Sequence, residues 1–204
     1  MDFHFPLRDA IRSRASSCLY LDTLPKALAA LTSPTPPSAI WITNEALAEL
    51  PSLLSALRSY TERGGTIVLG GSLQSCITIS LLDPLFESLG VGWKMGGYHR
   101  TTHALVSSHP RLAALPGAAS LPQSYSMKAV LLKGVPDHEA LYQQAEGSRH
   151  ESLSMQLGGV EKVDKETPIA VGQVGKGWVA WIGDANADKG TEKVVLAIMG
   201  LGKD

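Results

Sequence analysis

The middle of the chain brings together five side chains that could do chemistry. They are Trp93, Tyr98, His99, Arg100 and His103, in a stretch that also contains several glycines. A histidine titrates near neutral pH and can act as an acid or base, and an arginine can clamp a carboxylate or an enolate. The pattern therefore predicts a small-molecule site in which His99 is catalytic and the other four side chains bind the substrate. The alternative is a solvated loop that enters an edge strand.

The adjacency of His99 and Arg100 sets a condition on that site. Neighbouring residues in a strand point to opposite faces, so both can line one pocket only if the backbone is irregular nearby. Gly96 and Gly97, directly before them, could supply a bulge.

Other candidates follow two apolar strands. Ser72 comes after the run Thr66–Leu69 and two glycines. It could be a nucleophile on a strand-to-helix turn with an oxyanion hole, or it could be a capping serine. Asp184 and Asn186 follow the apolar run 178–182. Asp184 could act in catalysis by orienting a histidine, or could bind a ligand hydroxyl. The alternative, which we favour, is an Asx-turn before the last helix.

The elements that must position these residues alternate between strand and helix. A strand at 39–43, a helix at 45–63 and a strand at 66–69 predict a βαβ unit with parallel strands. We also expect strands at 18–21 and 129–132, helices at 24–31 and 80–89, a hairpin at 168–182 and a last helix around 194–201. Residues 138–165 favour loops with at most one strand. The pattern predicts one α/β domain over residues 1–204, with three layers, a mostly parallel sheet and a late antiparallel hairpin.

A family resemblance agrees with this prediction. Residues 39–75 resemble the class I glutamine amidotransferase-like fold, in which a strand, a helix ending in Gly-Gly and a second strand lead into a nucleophile turn. The hairpin, residues 183–187 and the last helix resemble the end of the same fold. Residues 98–102 and 183–187 together resemble a group of fungal members of that superfamily, some of them ThuA-like. The resemblance implies a flavodoxin-like sheet with its site at the carboxyl ends of the strands, between Ser72, residues 98–103 and Asp184–Asn186.

The chain departs from that family where glutamine hydrolysis takes place. The family's Gly-x-Cys-x-Gly turn is matched by Gly70-Gly71-Ser72-Leu73-Gln74, and its late His-x-Glu pair has no match. We therefore expect a small-molecule enzyme or binder that is not a glutaminase. Its chemistry would be acid–base, as in a lyase or isomerase, or that of a serine hydrolase.

Composition limits the partners. The chain of 204 residues has a formal net charge of −1, so it has no basic field for nucleic acid or an anionic membrane. No apolar run approaches the ~20 residues that span a bilayer, and the start of the chain lacks the pattern of a signal peptide. Cys18 and Cys76 stand in or beside apolar segments, which indicates core thiols. We expect a cytoplasmic, metal-independent protein without a cofactor.

A short helix predicted at residues 7–11 suggests that the chain associates. No apolar strand precedes it, and the missing strand would leave an edge or an apolar face of the sheet exposed. We therefore expect a homodimer. The competing hypothesis for function is a non-catalytic interaction or oligomerisation module.

Overall fold

The computed structural model describes residues 5–148 and 165–203. Its α-helices are α1 (Phe5–Arg14), α2 (Leu24–Thr32), α3 (Pro51–Glu62), α4 (Leu73–Cys76), α5 (Ile79–Leu89) and α6 (Lys189–Ile198). Its strands are β1 (Ala39–Ile42), β2 (Thr66–Leu69), β3 (Lys94–Leu105), β4 (Ser124–Lys133), β5 (Ala140–Gln144), β6 (Ile169–Val174) and β7 (Gly177–Ile182). The loop prediction for residues 138–165 lies in part outside the described residues, and its described part contains β5.

The predicted βαβ unit is confirmed. β1 and β2 are parallel neighbours, with Ala39 opposite Thr66. The single helix expected between them is instead a 3-10 turn (Glu45–Glu49) followed by α3. Pro51 causes the break, because proline has no N–H and is accommodated at the start of a helix. The Asn44 side chain accepts a hydrogen bond from the Ala46 N–H at 2.9 Å and so caps the turn.

The predicted hairpin is also confirmed. β6 and β7 are antiparallel, with Val174 opposite Gly177. Gly175 turns the chain with a positive φ of 60°.

The mostly parallel, flavodoxin-like sheet is wrong. The strand order is β1-β2-β7-β6-β5-β3-β4. Only the β1–β2 and β2–β7 pairs are parallel among the described strands, and the other four pairs are antiparallel. The β6–β7 pair is antiparallel because a parallel pair needs a crossover of a dozen or more residues, and only residues 175 and 176 join these two strands.

The edge strand β4 folds back toward β6 and β7. Its Ala129 forms an isolated bridge with Asp184, and its Leu132 forms one with Thr167. The Val130 N–H donates to the Gly183 carbonyl at 2.9 Å, and the Ala185 N–H donates to the Lys128 carbonyl at 2.8 Å. These bonds hold the loop after β7 against the long β3–β4 hairpin.

Two apolar clusters cover the sheet. One contains residues of α2, α3 and α5, and the other contains residues of α1 and α6. All four residues of β2 are buried, as expected for a strand covered on both faces. None of the described helices is long and apolar enough to span a membrane.

The segment between α1 and α2 differs from its prediction. Residues 18–21 form no strand, although their composition favours one. Leu19 and Tyr20 are 67% and 79% exposed. Cys18 and Cys76 are exposed free thiols, so the prediction of core thiols is wrong. The segment joins helices that pack on opposite faces, since Ile11 and Leu31 belong to different clusters.

Candidate functional site

A cleft of about 280 Å³ opens beyond the carboxyl ends of the parallel strands. Trp41 of β1, Gly71 after β2 and Ile182 of β7 line one side of it. Helices α1 and α6, with Leu7 and Val195, and the loop after β7 line the rest. Ligands of open α/β sheets bind at this position, so the cleft is the candidate site.

Asp184 lies at the centre of the loop beside this cleft and is 1% exposed. Its Oδ1 accepts the Asn186 N–H at 3.0 Å, and its Oδ2 accepts the Asp188 N–H at 2.7 Å. Oδ2 also accepts the Thr191 hydroxyl. The carboxylate therefore orders the turn that starts α6, which is the Asx-turn favoured from the sequence. Its catalytic role stays a prediction.

Ala187 stands in this loop with a positive φ of 53°, the one non-glycine residue with a positive φ in the described chain. Such a backbone is costly for a residue with a Cβ and needs support from its surroundings. The Asp184 hydrogen bonds on either side of Ala187 supply that support. No local sequence pattern indicates this conformation.

Gln74 joins the turn after β2 to the same loop. Its Nε2 donates to the Asp184 carbonyl at 2.7 Å, and the residue is 4% exposed. Its Oε1 has no hydrogen-bond partner among the described residues. Gln74 thus links the turn after β2 to the loop after β7.

Ser72 is exposed at the start of α4. Its hydroxyl donates to the Thr43 carbonyl at 2.8 Å, and that partner is a backbone atom and not a histidine or carboxylate side chain. The bond joins the turn after β2 to the end of β1, and the Ser72 side chain makes no capping hydrogen bond to α4. The nucleophile role of Ser72 stays a prediction.

The backbone irregularity expected near His99 and Arg100 lies between Met95 and Tyr98, before both residues. From Tyr98 to Ala104 the pairing with β4 is regular, so His99 and Arg100 point to opposite faces. Neither lines the cleft. Their binding and catalytic roles stay predictions, without a shared pocket to support them.

The other candidate side chains of this segment, Tyr98, His103 and Trp93, contact residues of neighbouring elements. Tyr98 is 50% exposed, and the Lys128 ammonium lies 4.8 Å from the centre of its ring. His103 is 1% exposed and stands between Tyr125 and Gln144 of the adjacent strands. Trp93 is 1% exposed and donates from its indole N–H to Glu139 Oε2 at 2.7 Å. Trp93 is therefore a core residue and does not line the cleft.

The glycines before His99 contact the protein itself. The Gly97 N–H donates to Glu166 Oε1 at 2.7 Å. A Cβ on Gly96 would lie 2.6 Å from the same oxygen, so a larger residue here would displace the Glu166 carboxylate. The space that suggested ligand contact is occupied by the Glu166 carboxylate.

One ion pair joins this segment to the candidate site. Arg100 Nη2 lies 3.5 Å from Asp188 Oδ2, next to the start of α6. Burial and the negative charge of Asp184 raise the pKa of Asp188, and Arg100 partly offsets this rise. Asn186 is exposed and gives its backbone N–H to Asp184.

The sequence missed several residues of the cleft. Trp41, in an apolar strand, lines it, and so do Lys189 and Glu192 of α6. The sequence places Trp41 in an apolar strand that is followed by a helix. That pattern does not show which face of the strand borders a cleft. The two charged residues look like any solvated helix positions in sequence.

Comparisons with known proteins do not show a family for this chain. No protein family and no curated protein matches it. Among solved structures, β-galactosidase from Bacillus circulans sp. alkalophilus is similar with a TM-score of 0.43 and 11% identity, over 81% of this chain and 22% of that one. A cold-adapted β-galactosidase from Rahnella sp. R3 has a TM-score of 0.40 and 14% identity, over 82% and 22%. The chain thus spans less than a quarter of those proteins, and similarity at this level carries no information about its function.

Proposed function

We propose that this chain binds a small organic molecule with an apolar body in the cleft beyond β1, β2 and β7. The observation that carries the proposal is the lining of the cleft, where Trp41, Leu7 and Ile182 stand beside a few polar side chains. An apolar wall with a small number of polar groups is typical of small-molecule sites. The volume of about 280 Å³ limits the ligand to the size of a small metabolite.

Binding is better supported than catalysis. The Asp184 carboxylate already accepts three hydrogen bonds from the chain, and the Ser72 hydroxyl donates to a backbone carbonyl. A general base or a nucleophile needs those atoms available to a substrate. Lyase, isomerase and serine-hydrolase chemistry remain hypotheses from the sequence.

Calorimetric titration with small aromatic and aliphatic acids, amines and amino acids tests the proposal. We expect at least one compound to bind with a Kd of about 1 mM or less, which is on the order of −4 kcal/mol.

Val195→Phe should fill the cleft and abolish binding, because Val195 lines it. Ile79→Phe is the control, since Ile79 is 66% exposed and outside the cleft. Thermal unfolding checks that both variants fold. Unchanged binding by folded Val195→Phe would place the site elsewhere.

A second candidate function is association with another copy of the chain. Its support is the exposure of Leu19 and Tyr20, two adjacent large apolar side chains. Such pairs are often covered in an assembly. Light scattering should then show a dimer that Leu19→Lys/Tyr20→Lys converts to monomer, while Ile79→Lys leaves it intact. A monomeric parent at tens of micromolar, on the order of common working concentrations, would exclude this candidate.

A further inference from the structure

Two opposite charges line the cleft side by side. Lys189 is the first residue of α6 and Glu192 lies three residues later, so both stand on the same side of the helix. In the described part of the chain, neither side chain has an ion pair or a side-chain hydrogen bond, with each other or with a third residue. The neighbouring charges differ, because Asp184 is fully engaged within its loop and Asp188 faces Arg100.

The apolar lining lies next to this pair. Trp41 and Ile182 come from the sheet, and Leu7 comes from α1. A bound molecule that contacts these residues and the first turn of α6 must present both an apolar part and a polar end. The polar end meets an ammonium and a carboxylate together. A ligand with one charge would pair with only one of the two and gain nothing from the other, because Lys189 is exposed and Glu192 is half-buried.

We infer that the ligand is a zwitterion with an apolar body, that is, a free α-amino acid with an aliphatic or aromatic side chain. Its carboxylate pairs with Lys189 near the positive end of α6, and its ammonium pairs with Glu192. The apolar side chain packs on Trp41. This inference rests on the proposed function, since it names the ligand class of the same cleft.

Titration of the full chain with four probes tests the inference. Phenylalanine carries both charges, phenethylamine and 3-phenylpropionate carry one each, and toluene carries none. We expect phenylalanine to bind at least tenfold more tightly than either single-charge analogue. Lys189→Gln and Glu192→Gln should each weaken phenylalanine at least fivefold. Lys193→Gln is the matched control, because Lys193 is exposed on the same helix and does not line the cleft.

The outcomes separate the two claims. Equal affinity of phenylalanine and one single-charge analogue overturns the zwitterion inference and leaves the proposed function standing. The zwitterion inference also fails if Lys189→Gln and Glu192→Gln bind phenylalanine like the parent. If none of the four probes binds, and the wider panel of acids, amines and amino acids also fails, the proposed function fails with it. Because both glutamine variants change partly or fully exposed helix positions, they are expected to fold, and circular dichroism checks this.

Discussion

The loop after β7 (residues 183–188) and the start of β3 (residues 94–100) share a type of composition and differ in what lies beside them. Both combine glycine with polar side chains, one after a strand and the other at the start of one. At the start of β3, the Glu166 carboxylate occupies the space at Gly96 and Gly97. The loop after β7 instead borders the cleft. Glycines with polar neighbours indicate that some group approaches closely, and only the folded chain shows whether that group is a ligand.

A carboxylate accepts hydrogen bonds from the backbone in each of the two regions, but the two carboxylates differ in burial and in the number of bonds that they accept. Asp184 is 1% exposed and holds three donors, while Glu166 is partly exposed and accepts the Gly97 N–H. Removing a buried acceptor leaves its donors without partners, and that cost grows with the number of donors and with burial. The loop after β7 should therefore be the more sensitive region.

The largest effect is expected for Asp184→Ala. The change leaves the Asn186 and Asp188 N–H groups and the Thr191 hydroxyl without their acceptor at the start of α6. We expect a loss of roughly 3 kcal/mol or more in the free energy of unfolding, measured by urea denaturation. Asp188→Ala is the control and should cost less than about 1 kcal/mol, because its side chain makes one partly exposed ion pair. Equal losses in the two variants would contradict the comparison.

Local elements of this fold are easier to predict from the sequence than the pairing of distant strands. The apolar runs of β1 and β2 and the Gly175 turn each determine a local structure that forms as expected. The leucine spacing predicts α3 as well, although the helix begins at Pro51 and not at residue 45. The orientation of β3, β4 and β5 depends on pairings between distant residues, such as His103 with Gln144, which no local pattern encodes. A prediction that uses only the alternation of strands and helices along the chain therefore gives more parallel strand pairs than the sheet contains.

The candidate site shows the same limit. The sequence locates Asp184 and its turn, because an aspartate between an apolar strand and a helix often accepts the backbone N–H two residues further on. It does not reveal Trp41, Lys189 or Glu192 as cleft residues, since the cleft forms only when α1 and α6 pack on the sheet. Flanking glycines favour a pocket position for Trp93, yet Phe86 packs against its ring with 5.5 Å between the ring centres.

A smaller effect is expected for Glu166→Ala at the start of β3. The Gly97 N–H loses a charged acceptor at 2.7 Å, so the free energy of unfolding should fall by about 1–2 kcal/mol. Glu166→Gln retains a carbonyl oxygen and should lose less. Thermal or urea unfolding of the two variants gives the difference. If Glu166→Ala is as stable as the parent, the carboxylate does not support the glycines, and a ligand at Gly96 becomes the better explanation.

The contact between the two regions predicts a pH dependence. The pKa of Asp188 is raised from 3.8, first by burial and then by Asp184. Because its folded pKa exceeds its unfolded pKa, the contribution of Asp188 to stability is full below about pH 3.8 and is lost as the pH rises through the folded pKa. Asp188→Asn should therefore gain stability relative to the parent as the pH rises above 3.8 and through the folded pKa.

Urea denaturation across that range measures the difference between Asp188→Asn and the parent, in which other titrating groups cancel. Arg100→Ala should raise the pKa of Asp188 further, because Arg100 lowers it in the folded chain. A stability difference that stays constant with pH would show that the loop after β7 does not depend on this pair.

The smallest effect is expected for Ser72→Ala, in the turn after β2. Ser72 is exposed, and its hydroxyl donates a hydrogen bond to the Thr43 carbonyl at 2.8 Å. The free energy of unfolding should change by less than about 0.5 kcal/mol. Because its neighbour Gly71 lines the cleft and Ser72 does not, ligand affinity by calorimetry should also stay within about twofold of the parent, on the order of 0.4 kcal/mol.

A nucleophile would behave differently: its replacement would abolish any turnover of the bound molecule while leaving binding intact. Loss of turnover in Ser72→Ala would therefore move the chemistry from the loop after β7 to the turn after β2, with the cleft serving to hold the substrate beside it.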